Sequence, residues 1–279
     1  AISDKGQIFQ LITAIKQGYH VYAAIAPAFV GQLGPKVTPE KLRGAMKKLG
    51  FEDVVEVAVG ADLCTVEEAE DFLEKVPVVA KKEFPEFKSY ISMALTPMVL
   101  TARMIKKDHP DCKVVFIGPC SAKKLEASRK SVRSDVDFVL TFEEVMGMFE
   151  AKGISFDELT DESPLQQATA DGRGFAVSGG VAQAVVNCIH QKHPEMEVKV
   201  HAEEGLKNCY MMLKDAQKGK YDGYLLEGMA CPGGCIAGAG TLQPIVRAKA
   251  AVNRFKNTAA KKVSSESDYV DRLEELVEE

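Results

Sequence analysis

A chain of 279 residues has room for two lobes or domains, and a globule of that size buries roughly three quarters of the surface its unfolded chain exposes. The formal charge of −5 argues against a nucleic-acid partner, which needs a basic face to displace counterions from phosphates; Lys106-Lys107 and Lys261-Lys262 read as solvated helix ends. No apolar run approaches the roughly 18 residues of a membrane span and no secretory leader is visible, so a soluble, cytoplasmic protein with no membrane partner is expected.

Short β-rich runs alternate with longer amphipathic ones, the pattern of strands packed between helices. A strand is expected at His20 to Ala28, a helix at Thr38 to Leu49, a strand at Val54 to Val59, and helices at Thr65 to Lys75 and Pro97 to Lys107. A strand at Lys113 to Ile117 and a helix at Thr141 to Lys152 lead into a hydrophilic stretch, Gly153 to Gly174, which reads as an inter-lobe or surface connection. Beyond it come a strand at Gly174 to Val177, a helix at Gly180 to Gln191, a strand at Glu197 to Val200 and a helix at Glu204 to Lys218. A strand at Tyr224 to Gly228 and a helix at Gln243 to Asn257 precede a charged tail, Lys261 to Glu279, which reads as a peripheral helix on a flexible lead. The expected fold is α/β, in two lobes at roughly 1–155 and 156–260 with the tail at 261–279, each lobe a largely parallel sheet flanked by helices.

Seven cysteines, at 64, 112, 120, 188, 209, 231 and 235, are an odd number with one close pair, which is not a disulfide framework and points instead to metal or redox chemistry. Cys64, Cys112, Cys188 and Cys209 read as small buried hydrophobes. His190 and His193 form an HxxH pair at a helix end, where imidazole suits the dipole.

Two elements carry the chemical signal. In Glu227-Gly228-Met229-Ala230-Cys231-Pro232-Gly233-Gly234-Cys235, two thiols four residues apart straddle Pro-Gly-Gly, and the small-residue stretch Ile236 to Gly240 follows. Such a turn lets the backbone close around a bulky inorganic group, while amides at the start of the next helix would face its negative charge; alone, the spacing also suits a plain strand-to-helix turn. In Phe116 to Glu126, a cysteine directly follows an expected strand and a lysine stands three residues on. Both elements lie at carboxyl ends of strands, where α/β proteins bind ligands; a free buried cysteine beside a solvated lysine is the alternative.

The patterns Pro119-Cys120-x-x-Lys123-x-x-Glu126 and Glu227-x-Met229-Ala230-Cys231-x-x-Gly234-Cys235 resemble two of the three signature motifs of the iron-only (FeFe) hydrogenase catalytic domain. The similarity extends through Ala26-Pro27-Ala28, Gly60-Ala61-Asp62-Leu63 and Gly179-Gly180-Val181. The resemblance implies a cleft between the lobes holding an H-cluster, a 4Fe-4S cubane linked to a two-iron subcluster, and reversible oxidation of dihydrogen to protons and electrons. Cys120, Cys231 and Cys235 match cubane ligands, with Cys235 also bridging to the subcluster. Lys123 matches a lysine that hydrogen-bonds a cyanide of the subcluster, a role suited to a compact cation, and Glu126 would orient it. Met229, Pro119 and the turn Ala26, Pro27 and Ala28 match pocket walls.

Glu68, Ser92 and Asp71 match the family's proton-delivery chain, although Thr65-Val66-Glu67-Glu68 also reads as a capping box. Implied partners are an electron-transfer protein or N-terminal ferredoxin-like clusters, and maturation proteins. Gly118 stands where the common hydrogenases carry a pocket methionine and Met98 where they carry a glutamine, which resembles the slow, dihydrogen-sensing branch. The alternative is an iron–sulfur assembly protein of the same fold without hydrogenase activity, against which Lys123 and Met229 argue.

Four thiolates are the usual complement of a cubane, and three stand at matching positions. The family's first signature, a Thr-Ser-Cys-Cys-Pro segment, is expected where Phe72 to Pro77 runs straight into Val78 to Glu86, so a gap is inferred at or near Pro77. The run Ala1 to Lys5 resembles the one that follows a ferredoxin-type cysteine motif in this family.

Overall fold

Small and branched apolar residues buried on both faces make β1 (Val21–Ile25) and β3 (Lys113–Gly118) central strands. The computed structural model, which describes residues 6–75, 87, 92–160, 164–165 and 167–277, places them in a four-stranded sheet of order β2-β1-β3-β4, with β2 (Asp53–Glu56) and β4 (Phe138–Thr141) at its edges. Every pairing in it is parallel, and Ala23 stands opposite both Val54 and Val115. A second parallel sheet pairs β5 (Lys199–Glu204) with β6 (Tyr224–Met229). The α/β fold with parallel sheets flanked by helices is thus as expected; the gap near Pro77 falls outside the described residues.

Val21, Ile25, Val115, Ile117 and Leu140 form one core with Leu11 of α1 (Ile8–Lys16), Met46 of α2 (Pro39–Leu49), Val99 and Ile105 of α4 (Pro97–Asp108), and Phe149 of α6 (Phe142–Lys152). The ends of α2 and α6 follow local chemistry. Thr38 accepts from the Lys41 amide at 3.1 Å, and Thr141 and Glu144 form a reciprocal capping box at 3.2 and 2.7 Å.

The central helix α3 (Val57–Lys75) starts directly after β2; its first ten residues, Val57 to Val66, are buried on every side, as in a core helix, and its acidic second half is only partly covered. Leu63 and Cys64 pack with Leu100 and Met104 of α4, while Val66, Ala69 and Phe72 pack with Val185 and Ile189 of α8 (Gly180–Lys192). The strand expected to Val59 therefore ends at Glu56, whose carboxylate takes two 2.8 Å bonds from Arg173 of α7 (Ala170–Gly174), both side chains being 2% exposed. Thr65 lies inside α3 and donates its hydroxyl to the Ala61 carbonyl at 2.8 Å, so no helix starts there and the expected capping box does not exist.

Three other expectations change. Gly174 to Val177 is no strand: Val177 N–H bonds the Gly174 carbonyl in a turn that closes α7, and the segment meets the cysteine loop through two bonds, Ile236 N to Ala176 O and Ser178 N to Gly233 O, without forming a ladder. No strand is expected at β4, whose four residues run directly into the start of α6. The tail is pinned rather than led flexibly: Ser264 donates to Asp62, the Ala170 and Asp171 amides donate to Lys261 and Lys262 carbonyls, and Arg103 donates to the Leu276 carbonyl in the short helix Leu273–Val277. Among the described residues no helix is long and apolar enough to cross a membrane.

Candidate active site

The carboxyl ends of β1, β2, β3 and β6 converge on one cavity of about 280 Å³. The Ala26, Pro27 and Ala28 turn follows β1, Val57 follows β2, Pro119 and Cys120 follow β3, and Met229 ends β6, with Cys235 in the loop beyond. Cys64 and Glu68 of α3, Met98 of α4, Lys123 of α5 (Ala122–Ala127) and Phe175 complete much of the lining. The wall is mostly apolar, so the few polar groups that reach it stand out as orienting groups.

The two cysteine loops abut. Gly240 donates its amide to the Pro119 carbonyl at 2.7 Å, and a Cβ on Gly238 would sit 2.4 Å from that same oxygen, so only glycine lets the loop beyond Cys235 lie against the turn that carries Cys120. Cys120 and Cys235 line the cavity; Cys231 does not reach its wall but lies close enough to feel the Cys120 charge. Cys235 is open to water within a concave surround. Burial pushes its thiol up to about 11, with the Cys120 charge adding to the effect, the Lys123 ammonium opposing it, and Cys231 and Glu227 adding further. Burial and then the Cys120 charge raise the Cys231 thiol as well.

Three cysteines whose ionised forms disfavour one another, beside a lysine, suit a cationic iron cluster that would hold them as thiolates, so the donor set fits the group in three of its four ligands. Among the described residues no three His, Cys, Asp or Glu side chains stand close enough for one metal ion; a cubane ties each thiolate to a different iron and needs wider spacing. His190 bonds the Met196 carbonyl at 2.9 Å and His193 pairs with Glu195 at 3.7 Å, so the HxxH pair does not converge on a site.

Lys123 is held: its Nζ donates to Glu126 Oε2 at 2.7 Å, and Thr96, which the sequence reading missed, donates to Glu126 Oε1 at 2.5 Å. The only signal for Thr96 was a Thr before Pro97 at a helix start, which reads as a cap. Glu227, to which the sequence alone assigns no role, accepts from the Gly179 and Ala182 amides at 2.7 and 2.8 Å and so ties β6 to the positive end of α8. Burial raises its carboxyl group.

Ser92 donates to Asp71 Oδ2 at 2.8 Å, and the Asp71 charge acts on Glu68, so the three residues of the expected proton path stand together. Glu68 is pushed up to about 7, first by burial and then by the charges of Glu227, Glu67 and Asp71, while a hydrogen bond with Cys64 opposes the rise. Cys64, Cys112 and Cys188 are buried and Cys209 half-buried, as expected of small hydrophobes; Cys64 alone of these lines the cavity.

At Gly118, the position matched to a pocket methionine, the wall is built from a neighbouring side chain. A Cβ there would lie 2.3 Å from Phe116 Cε1, two residues back on the same face of β3, so the Phe116 ring occupies that space and itself lines the cavity beside Met98.

Residues 19–239 match the family model described as "Iron only hydrogenase large subunit, C-terminal domain". The chain is 27% identical to a periplasmic Fe hydrogenase large subunit of Nitratidesulfovibrio vulgaris, over 80% of this chain and 66% of the relative, and 26% identical to iron hydrogenase 1 of Clostridium pasteurianum, over 89% and 54%. It is equally 26% identical to cytosolic iron-sulfur assembly component 3 of Bos taurus, over 79% and 60%. The chain thus spans between half and about two thirds of the hydrogenase relatives, at 66%, 50% and 54% of their lengths. With the first of them the alignment runs over 282 positions yet covers 80% of this chain's 279 residues, so the match contains positions where this chain has no residue. Among solved structures, a variant of HydA1 from Chlamydomonas reinhardtii superposes with a TM-score of 0.79 at 20% identity, covering 97% of this chain and 94% of that one, a likeness of fold. With 19–239 matched, the chain belongs to the family of iron-only hydrogenase large subunits and carries their C-terminal domain.

Proposed function

We propose that this domain acts on dihydrogen, taking it to two protons and two electrons reversibly and slowly, in a sensing role. The observation that carries the reading is one apolar cavity whose wall brings together Cys120, Cys235, Lys123, Met229 and Glu68. Cys120, Cys231 and Cys235 would hold the cubane, with Cys235 next to the two-iron part. When bound, that group supplies the redox chemistry of dihydrogen. Lys123, braced by Glu126, orients the two-iron part through its ammonium, and Met229, Ala26, Pro27, Ala28 and Pro119 exclude water and shape the wall.

Protons leave through Glu68, whose carboxyl group near 7 can both take and release a proton at neutral pH, and then through Asp71 and Ser92. Electrons pass to an iron–sulfur electron carrier. Phe116 and Met98 in the wall, in place of polar and flexible groups, support the slow branch. The competing reading, iron–sulfur assembly without hydrogenase activity, draws on relatives such as the bovine assembly component; the bracing of Lys123 toward the cavity has no use in it. The lobe division at 1–155 and 156–260 and a cytoplasmic location are part of the same proposal.

The test is exchange of dihydrogen with heavy water, followed by mass spectrometry of the gas after loading with the cofactor. Slow HD formation that Cys235→Ser abolishes is expected. Fully iron-loaded protein that makes no HD would favour the assembly reading.

A further inference from the structure

We propose that Thr96 is a positioning residue for Lys123, acting through Glu126. The inference rests on the reading above in one respect, that Lys123 meets the group bound in the cavity. Thr96 stands at the N-cap of α4 with extended backbone, φ −66° and ψ 152°, and Pro97 follows it at the first helical position. A threonine hydroxyl there ordinarily accepts from an amide of the first turn. Here it does not: the side chain makes no cap bond and turns instead to Glu126 on a different helix.

The consequence is geometric. Lys123 sits on α5, six residues long, and a lysine on so short a helix keeps most of its rotamer freedom unless something outside the helix restrains it. Glu126 supplies the restraint with one oxygen, and Thr96 fixes the other oxygen from α4, so the carboxylate cannot rotate away without losing a bond at each end. Thr96 and Lys123 both line the cavity, so the relay runs along its wall. A merely structural tie between α4 and α5 would not need to end on a cation facing the cavity.

The experiment compares Thr96→Val, Thr96→Ser and Glu126→Gln. In the chain without cofactor, acylation of Lys123 is timed by peptide mass mapping, with the other lysines as internal references. Thr96→Val and Glu126→Gln should each raise the Lys123 rate by roughly fivefold, as loss of one charge-assisted restraint implies, with Thr96→Ser at the wild-type rate. The double variant should be no faster than either single one. An unchanged Lys123 rate in Thr96→Val and Glu126→Gln, with the reference lysines also unchanged, overturns the proposal; so does Thr96→Ser behaving like Thr96→Val. If Thr96→Val fails to fold, Glu126→Gln and Thr96→Ser decide alone.

A second arm loads the two-iron group and records its cyanide infrared bands. Displaced bands in Thr96→Val, restored in Thr96→Ser, are expected. Failure of the wild type to load at all removes the functional reading and leaves the acylation result, and with it the relay, standing.

Discussion

Glu68→Gln should stabilise the cofactor-free protein, and only above mildly acidic pH. The folded chain holds the Glu68 carboxyl at about 7 against an ordinary 4.5, because burial and the charges of Glu227, Glu67 and Asp71 disfavour its ionised form. The sign follows from proton binding: between about 4.5 and 7 the folded state keeps a proton that the unfolded chain releases, so the stability due to this group is full below 4.5 and is lost as pH rises through about 7. At about 1.4 kcal/mol per tenfold, the displacement sets a ceiling of about 3 kcal/mol at pH 8, and water entering the cavity beside Glu68 reduces it. Glutamine keeps the shape and the capacity to bond Cys64 while removing the charge. Urea unfolding of wild type and variant at pH 4, 6 and 8 measures the difference, which should be near zero at pH 4 and grow to about 1–3 kcal/mol in favour of the variant at pH 8. A difference that is flat across that range, or largest in acid, would refute the assignment of Glu68 as a buried, protonatable wall group.

Arg173→Met leaves the Glu56 carboxylate buried without its partner and should cost about 3–5 kcal/mol in urea unfolding, much of it recovered by adding Glu56→Leu. Gly238→Ala drives a methyl group against the Pro119 carbonyl oxygen, which is backbone and cannot swing away; a loss of about 1–3 kcal/mol and reduced iron per chain after reconstitution are expected. Gly118→Ala collides with the Phe116 ring and should cost a similar amount, about 1–3 kcal/mol, in the wild type but little in a Phe116→Ala background, a coupling read by a double-mutant cycle of melting temperatures.

Much of the fold was legible where the determinant is local. The starts of α2 and α6 are written in Thr38-Pro39 and in the Thr141 to Glu144 box, and the central strands in unbroken apolar runs. It failed where distant partners decide. Val57-Ala58-Val59, apolar with two β-branched residues, reads as strand, yet becomes the first turn of α3, which packs against α4, α7 and α8. Thr65 and Glu68 match a cap by spacing alone, and only the helical turn before them shows that the cap is unnecessary. The tail looked polar enough to be loose, but Ser264, Arg272 and the Leu276 carbonyl each find a partner more than a hundred residues away.

The site was legible to a similar degree. The cysteine motifs, Lys123 and the Ala26 to Ala28 turn carry their spacing in the sequence and meet at the cavity. Thr96 and the Phe116 ring were not visible, since the one gives up an ordinary helix cap and the other fills the space that a side chain at Gly118 would take.

The central claim, that Cys120, Cys231 and Cys235 share one cluster, is tested most directly by Mössbauer spectroscopy after anaerobic reconstitution with 57Fe and sulfide. The account predicts the spectrum of a cubane with about four irons per chain, lost when any one of the three cysteines becomes serine. Iron held at an isolated tetrahedral site, or a cubane indifferent to all three substitutions, would contradict it.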